Sequence, residues 1–205
     1  MEVTVSIGEA MDKYSILQLK NEMIEDPERL HHVQNEIDLL HPKLATLLQR
    51  HPFLFGLLLR INRDIWHMIN RWRALPTTDP SFIQGCVDIN SYNDARFRIK
   101  SKIDRICNSL LKEQKSYGAT SFVFPSLPTT DDYERLAPCI HHAAVFFDQV
   151  IVHYNHAILP DLPSSYFFSK ELGLQFESST TVSVPPTSFI YSPSAASLPE
   201  EFSLF

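Results

Sequence analysis

PERLHHVQNEIDLLHPKLATLL, residues 27–48, decides how this chain is read. Leu30, Val33, Ile37, Leu40, Leu44 and Leu47 recur at alternating steps of three and four. That spacing places six aliphatic side chains on one side of a helix, the pattern of a helix laid against other helices. Asp26-Pro27 supplies the start: an aspartate able to accept from a free N–H of the first turn, then a proline whose missing N–H costs nothing there. Pro42 removes a backbone donor mid-helix and is expected to kink it, and His51-Pro52 is expected to end it.

The same grammar extends to both sides. Upstream, Ser6 and Glu9 form a capping-box signature for a helix over about 7–24, with Ala10, Tyr14, Leu17 and Ile24 as its apolar stripe and Gly8 as a local cost. Downstream, Leu54, Leu58, Ile61, Ile65, Met68 and Trp72 mark a third helix that Pro76 stops. Asp79-Pro80 repeats the cap-plus-proline start for a long fourth helix, expected to reach about Lys115. Its inner stripe is Phe82, Cys86, Ile89, Asn93, Arg96, Ile99, Ile103, Ile106 and Leu110, so the apolar period runs through two polar positions. Residues 1–117 are thus expected to be antiparallel long helices packed as a bundle or as two hairpins.

Composition then changes. Residues 1–117 hold 16 Lys/Arg against 15 Asp/Glu, whereas 118–205 hold 2 against 9, with ten of the fourteen Phe and nine of the fourteen Pro. SFVFP at 121–125 reads as a short strand or extended segment. From Tyr133 the stripe Leu136, Ile140, Ala144, Phe147, Ile151, Tyr154, Ile158 favours one helix to about Ile158, against a strand at 150–154, where VIVHY is β-branched and aromatic. Ser164 or Ser165 starts a short helix ending near Gly173. The Ser/Thr/Pro-rich end is expected to be an extended or disordered tail whose Phe189, Ile190, Tyr191, Leu198, Phe202 and Phe205 can dock on a surface. The resulting expectation is a mainly α protein: helical bundle 1–117, Phe-rich helical extension 118–176, tail 177–205.

Composition also narrows function. A net charge of −6 disfavours general nucleic-acid binding. The basic stretch Arg60, Arg63, Arg71 and Arg73 is interrupted by Asp64 and Trp72. Apolar runs such as LFGLLL, 54–59, are too short to cross a bilayer, and the first residues lack the pattern of a secretory signal, so a cytoplasmic protein is expected. Cys86 and Cys107 lie 21 residues apart on the fourth helix. That is roughly 30 Å, too far to bridge, so these and Cys139 are expected to be reduced and mostly buried.

Several of the motifs resemble a bacterial and phage domain family of unknown function. The similarity runs through EAMDKYSILQLK, IEDPERLHHVQNEIDLL, INRDIWHMINRWR, SYNDARFRIK and LLKEQKSY, in order, over about 5–117. The family's Glu-x-x-Asp-Lys-x-(Ser/Thr)-Ile-Leu-x-(Ile/Leu)-Lys signature, its Asn-x-x-(Leu/Ile)-Trp helix, its Asn-Asp pair and its Glu-x-Lys-Ser-Tyr ending fall on Glu9, Asp12, Lys13, Lys20, Asn62, Trp66, Asn93, Asp94, Lys115 and Tyr117. The resemblance implies a helical domain. Its members tend to be encoded beside glycan-assembly proteins, which implies a link to glycan metabolism. Asn70 departs from the pattern, since members commonly carry an acid near that helix end.

Two functional arrangements compete for these residues. Glu9, Lys13, Ile16 and Lys20 share one helical face, which serves as well for a solvated surface as for a site. Arg96 within an apolar stripe must be paired. Either it belongs to an internal polar network, held by Asp12, Glu9 or Asp64, or it joins Lys13 and Lys100 in an anion pocket for a phosphate or carboxylate. Helical enzymes of the chorismate mutase kind hold a dianion with such side chains, but no nucleophile or general base is evident here. His153 and His156, with Gln149 and His142 on the same helical face, are the metal candidates. No His-Glu-x-x-His motif accompanies them, so neither a metal nor another cofactor is expected. The expected function is a non-catalytic binding or assembly module with a protein partner or self-association. A protein binding an anionic metabolite such as a sugar nucleotide, or a small helical enzyme acting on one, is the alternative, and a structural component of a viral or cellular assembly is a third.

Overall fold

The computed structural model describes residues 3–115, 121–127, 140, 143–154, 174–178 and 188–190. The chain divides into two compact units, Met1–Gln114 and Lys115–Phe205. Among the described residues no helix is long and apolar enough to cross a membrane.

The first unit is built from α1 (Ile7–Met23), α2 (Pro27–Arg50), α3 (Pro52–Arg73) and α4 (Pro80–Ile106). Their starts are made by the residues that signal them. Ser6 Oγ accepts from Glu9 N at 3.1 Å, Asp26 Oδ1 from Arg29 N at 2.9 Å and Asp79 Oδ1 from Ser81 N at 2.8 Å. Prolines occupy the first turns of α2, α3 and α4. Helix α2 runs on through Pro42.

Helix α1 packs on all three others, and α3 packs on α4, while α2 lies on α1 and only lightly touches α3. Gly8 meets Lys100 and Asp12 meets Arg96, so α1 and α4 run antiparallel. Met11, Leu54, Leu58, Ile99 and Ile103 have no exposed surface, and Leu17, Leu19 and Ile61 are nearly as buried. Each such aliphatic side chain contributes about 1.5–3 kcal/mol by leaving water. The seam of α2 is less covered: Val33 and Leu44 are buried, but Leu30, Ile37, Leu40 and Leu47 only partly so.

Two glycines mark close approaches. A Cβ on Gly8 would lie 2.5 Å from the carbonyl oxygen of Lys100, so α1 rests its first turn directly on the α4 backbone. A Cβ on Gly85 would collide with the indole of Trp72, which closes the far end of the α3–α4 pair.

Helix α4 is shorter than the stripe suggests. It ends at Ile106, Asn108 adopts φ 51, and Ser109 N donates to Asp104 O at 2.8 Å. The left-handed residue turns the chain back, as asparagine tolerates. Leu110, expected to face inward, is 97% exposed. Cys86 is exposed as well and Cys107 half-buried, so the expectation of buried thiols fails for Cys86; neither forms a disulfide, and Cys139 lies outside the described residues.

The second unit corrects the sequence reading more deeply. It contains β1 (Ser121–Leu127), β2 (Gln149–Tyr154), β3 (Leu174–Ser178) and β4 (Ser188–Ile190), all parallel, in the order β3-β2-β1-β4. The long helix to Ile158 is therefore wrong over 149–154, where the competing strand is correct. Residues 143–146 are helical and stand between β1 and β2. Val150, Ile151 and Val152 are all buried. A strand covered on both faces shows a continuous apolar run rather than alternation, and such a run is easily absorbed into a helical stripe. Pro125 sits where the β1–β2 register shifts, between Phe124 and Leu127, as expected for a residue without an N–H. Three residues of the expected tail are paired as β4: Ser188, Phe189 and Ile190 align with Ser121, Phe122 and Val123. The short helix ending near Gly173 and the tail beyond 190 lie outside the described residues.

Candidate functional site

Three of the polar signature residues, Glu9, Asp12 and Asn62, lie at the contact between α1, α3 and α4. Asp12 is 2% exposed and occupies the centre. It is on the side of α1 turned toward the other two helices, one turn beyond the Gly8 contact. Arg96 grips it with both ends of the fork, Nε donating to Oδ1 at 2.8 Å and Nη2 to Oδ2 at 2.5 Å. Asn62 of α3 donates from Nδ2 to Asp12 Oδ1 at 2.9 Å and to Ser15 Oγ at 2.8 Å. Ser15 in turn donates to the Asp12 carbonyl at 2.8 Å. One carboxylate thus ties three helices together. The hydrogen bond to Asp12 raises the Arg96 pKa further, against the opposing pull of burial.

A second cluster adjoins it. The Lys100 ammonium contacts Glu9 of α1, and pairs with Glu113 beyond α4 at 2.6 Å. Burial pulls the Lys100 pKa down, but the Glu113 and Glu9 carboxylates more than offset this, and the net shift is upward. The Glu9 carboxylate is thereby directed to Lys100, so only the Ser6 half of the expected capping box carries a described bond.

The free N–H groups at the start of α1 are met from across the bundle. Gly8 N donates to Asp104 Oδ1 at 2.6 Å and Ile7 N to Ser109 Oγ at 3.1 Å. A carboxylate at this end also complements the positive end of the helix dipole. Asp104 is 1% exposed and was not singled out from the sequence. Nor were Ser15, Ser109 and Glu113. An acid at the end of a helix reads as surface until the helix start it serves is known. The one available signal was Gly8, whose presence in a helix needs a close neighbour.

The remaining candidates lie apart from the cluster. Lys13 turns outward to Glu36 of α2 at 2.5 Å, with its side chain 61% exposed. Lys20 is half-buried in the last turn of α1 and joins no ion pair among the described residues. Asn93 donates back to the Ile89 carbonyl at 3.0 Å. Trp66 and Asp94 are half-buried, Asn70 and Lys115 are exposed, and Tyr117 is outside the described residues. Asp64 does not hold Arg96; it is half-buried, and burial raises its pKa against the attraction of Arg60, His67 and Arg63. Arg63 bonds Glu22 at 2.5 Å.

The helical face required for the metal candidates is absent, because His153 belongs to β2, where it is 2% exposed, while His142 and His156 lie outside the described residues. Among the described residues no group of three His, Cys, Asp or Glu could hold a metal ion.

The architecture defines a mainly helical protein whose helices pack as a bundle around a buried Asp–Arg–Asn junction. The chain belongs to a family of unknown function, DUF6165, whose model matches residues 1–137. The match takes in all of α1 to α4 and β1. No curated protein and no solved structure matches the chain.

Proposed function

We propose that this chain is a non-catalytic binding or assembly module whose helical unit is a rigid scaffold. One observation carries the reading: the two cations best placed for an anion pocket already have carboxylate partners. Arg96 is held by Asp12, and Lys100 by Glu9 and Glu113. With three carboxylates facing two cations, the cluster bears a net negative charge, which repels phosphate and carboxylate ligands. The scaffold also presents aliphatic side chains to solvent: Ile83 and Val87 one turn apart on α4, and Leu39 on α2. These suit contact with another protein.

The competing reading, an anionic-metabolite protein, draws support from Arg96 alone, whose side chain remains 25% exposed beside its buried partner. Thermal unfolding against sugar nucleotides, phosphates and dicarboxylates separates the two. A ligand at 100 times its dissociation constant adds about 2.7 kcal/mol. The scaffold reading expects no ligand to move the midpoint. A shift in the native protein that disappears in a folded Arg96→Met variant establishes the metabolite reading instead.

A further inference from the structure

The chain leaving α4 is held by polar contacts rather than by a core. Asn108 turns it back, Ser109 Oγ accepts from Ile7 N, and Glu113 pairs with Lys100, which also holds Glu9. Residues 109–115 carry no helix or strand, and Leu110 and Leu111 are 97% and 46% exposed, so apolar burial does not anchor them. Lys100 itself is 8% exposed and needs a carboxylate in either arrangement. It has two, and they differ in kind: Glu9 is part of α1, whereas Glu113 is on the returning segment.

We propose that residues 107–115 are a releasable strap, held on the first turn of α1 by Ser109 and latched to Lys100 of α4 through Glu113. Glu9 keeps the Lys100 ammonium paired when the Glu113 arm lets go. Release therefore leaves no buried charge unpaired, and the Asp12–Arg96 junction continues to hold α1 to α4. The strap is the path by which the chain leaves the helical unit, so the latch sets whether that path is fixed or free. This goes beyond the scaffold reading and does not depend on it.

The test is native-state cleavage of the full chain by thermolysin, which cuts before leucine, followed by mass spectrometry. Rates at Leu110 and Leu111 are normalised to free peptides spanning 105–117 with the same substitution. Glu113→Gln should raise cleavage about fivefold, the factor that corresponds to a partly exposed ion pair of about 1 kcal/mol. Its thermal midpoint should fall by no more than about 4 °C. Glu9→Gln should leave cleavage of the strap unchanged, because Glu113 then keeps Lys100. An unchanged rate in Glu113→Gln, an equal rise in Glu9→Gln, or new cuts within α1 or α4 would overturn the latch.

Discussion

Replacing Arg96 by methionine strips the Asp12 carboxylate of two hydrogen bonds and leaves only Asn62 to satisfy it at 2% exposure. Removing one partner of a buried ion pair costs about 3–5 kcal/mol. Arg96 retains a quarter of its surface, and water screens that side of the pair, so the lower end of the range, about 3 kcal/mol, applies. Asp12→Leu strands the guanidinium instead. That group can turn toward solvent, and the cost falls to about 2 kcal/mol, including the lost acceptor of Asn62. The double variant replaces both charges by apolar groups and leaves only Asn62 and Ser15 to pair with each other. It should lose no more than about 3 kcal/mol, so the cycle shows a coupling of about 2 kcal/mol. Urea unfolding followed by helical circular dichroism at 222 nm measures all four proteins. Additive losses, or an Arg96→Met cost below about 1 kcal/mol, would refute the view that one carboxylate ties the three helices.

Three further outcomes test the contacts around it. Gly8→Ala, which in an isolated helix gains about 1 kcal/mol, should here lose about 2 kcal/mol in the same denaturation assay, because its Cβ meets the Lys100 carbonyl oxygen at 2.5 Å. Asp104→Ala should cost about 2–3 kcal/mol by leaving the buried Gly8 N–H unpaired, while Asp104→Asn, which keeps an acceptor oxygen, retains most of the stability. Lys100 has a raised pKa in the folded state, so its contribution is present below the ordinary lysine pKa of 10.5 and is lost as pH rises through the folded value. Stability should therefore fall on the alkaline side of 10.5, less steeply in Lys100→Met, as read from denaturation midpoints across that range.

The sequence carried the beginnings of helices well and their partners poorly. Ser6, Asp26 and Asp79, and the prolines at 27, 52 and 80, are local devices, each acting within one helical turn. They are legible because donor and acceptor are three residues apart or fewer. Arg96 in an apolar stripe was equally legible as a group needing an anion. Which of Glu9, Asp12 and Asp64 would supply it was open, since all three are acids on helices that could face α4. The 84-residue separation of Arg96 and Asp12 is bridged only by the rotation and depth at which α1 seats on α4. Gly8 allows that depth, and the seating then recruits Asp104 and Ser109 to the start of α1.

What the sequence by itself determined is the set of four helices in 7–106, their caps, their apolar faces and the demand for a polar junction among them. Those properties follow from backbone geometry and from side chains repeating every three or four residues. Only the tertiary structure decided the junction's membership, the early end of α4 and the strand at 149–154. Val150, Ile151 and Val152 satisfy a helical or an extended periodicity, and the choice falls to β1 and β3, which flank β2 and take up its backbone donors and acceptors. Pairing between distant strands and packing between helices are set by partners far along the chain, and no local pattern encodes them.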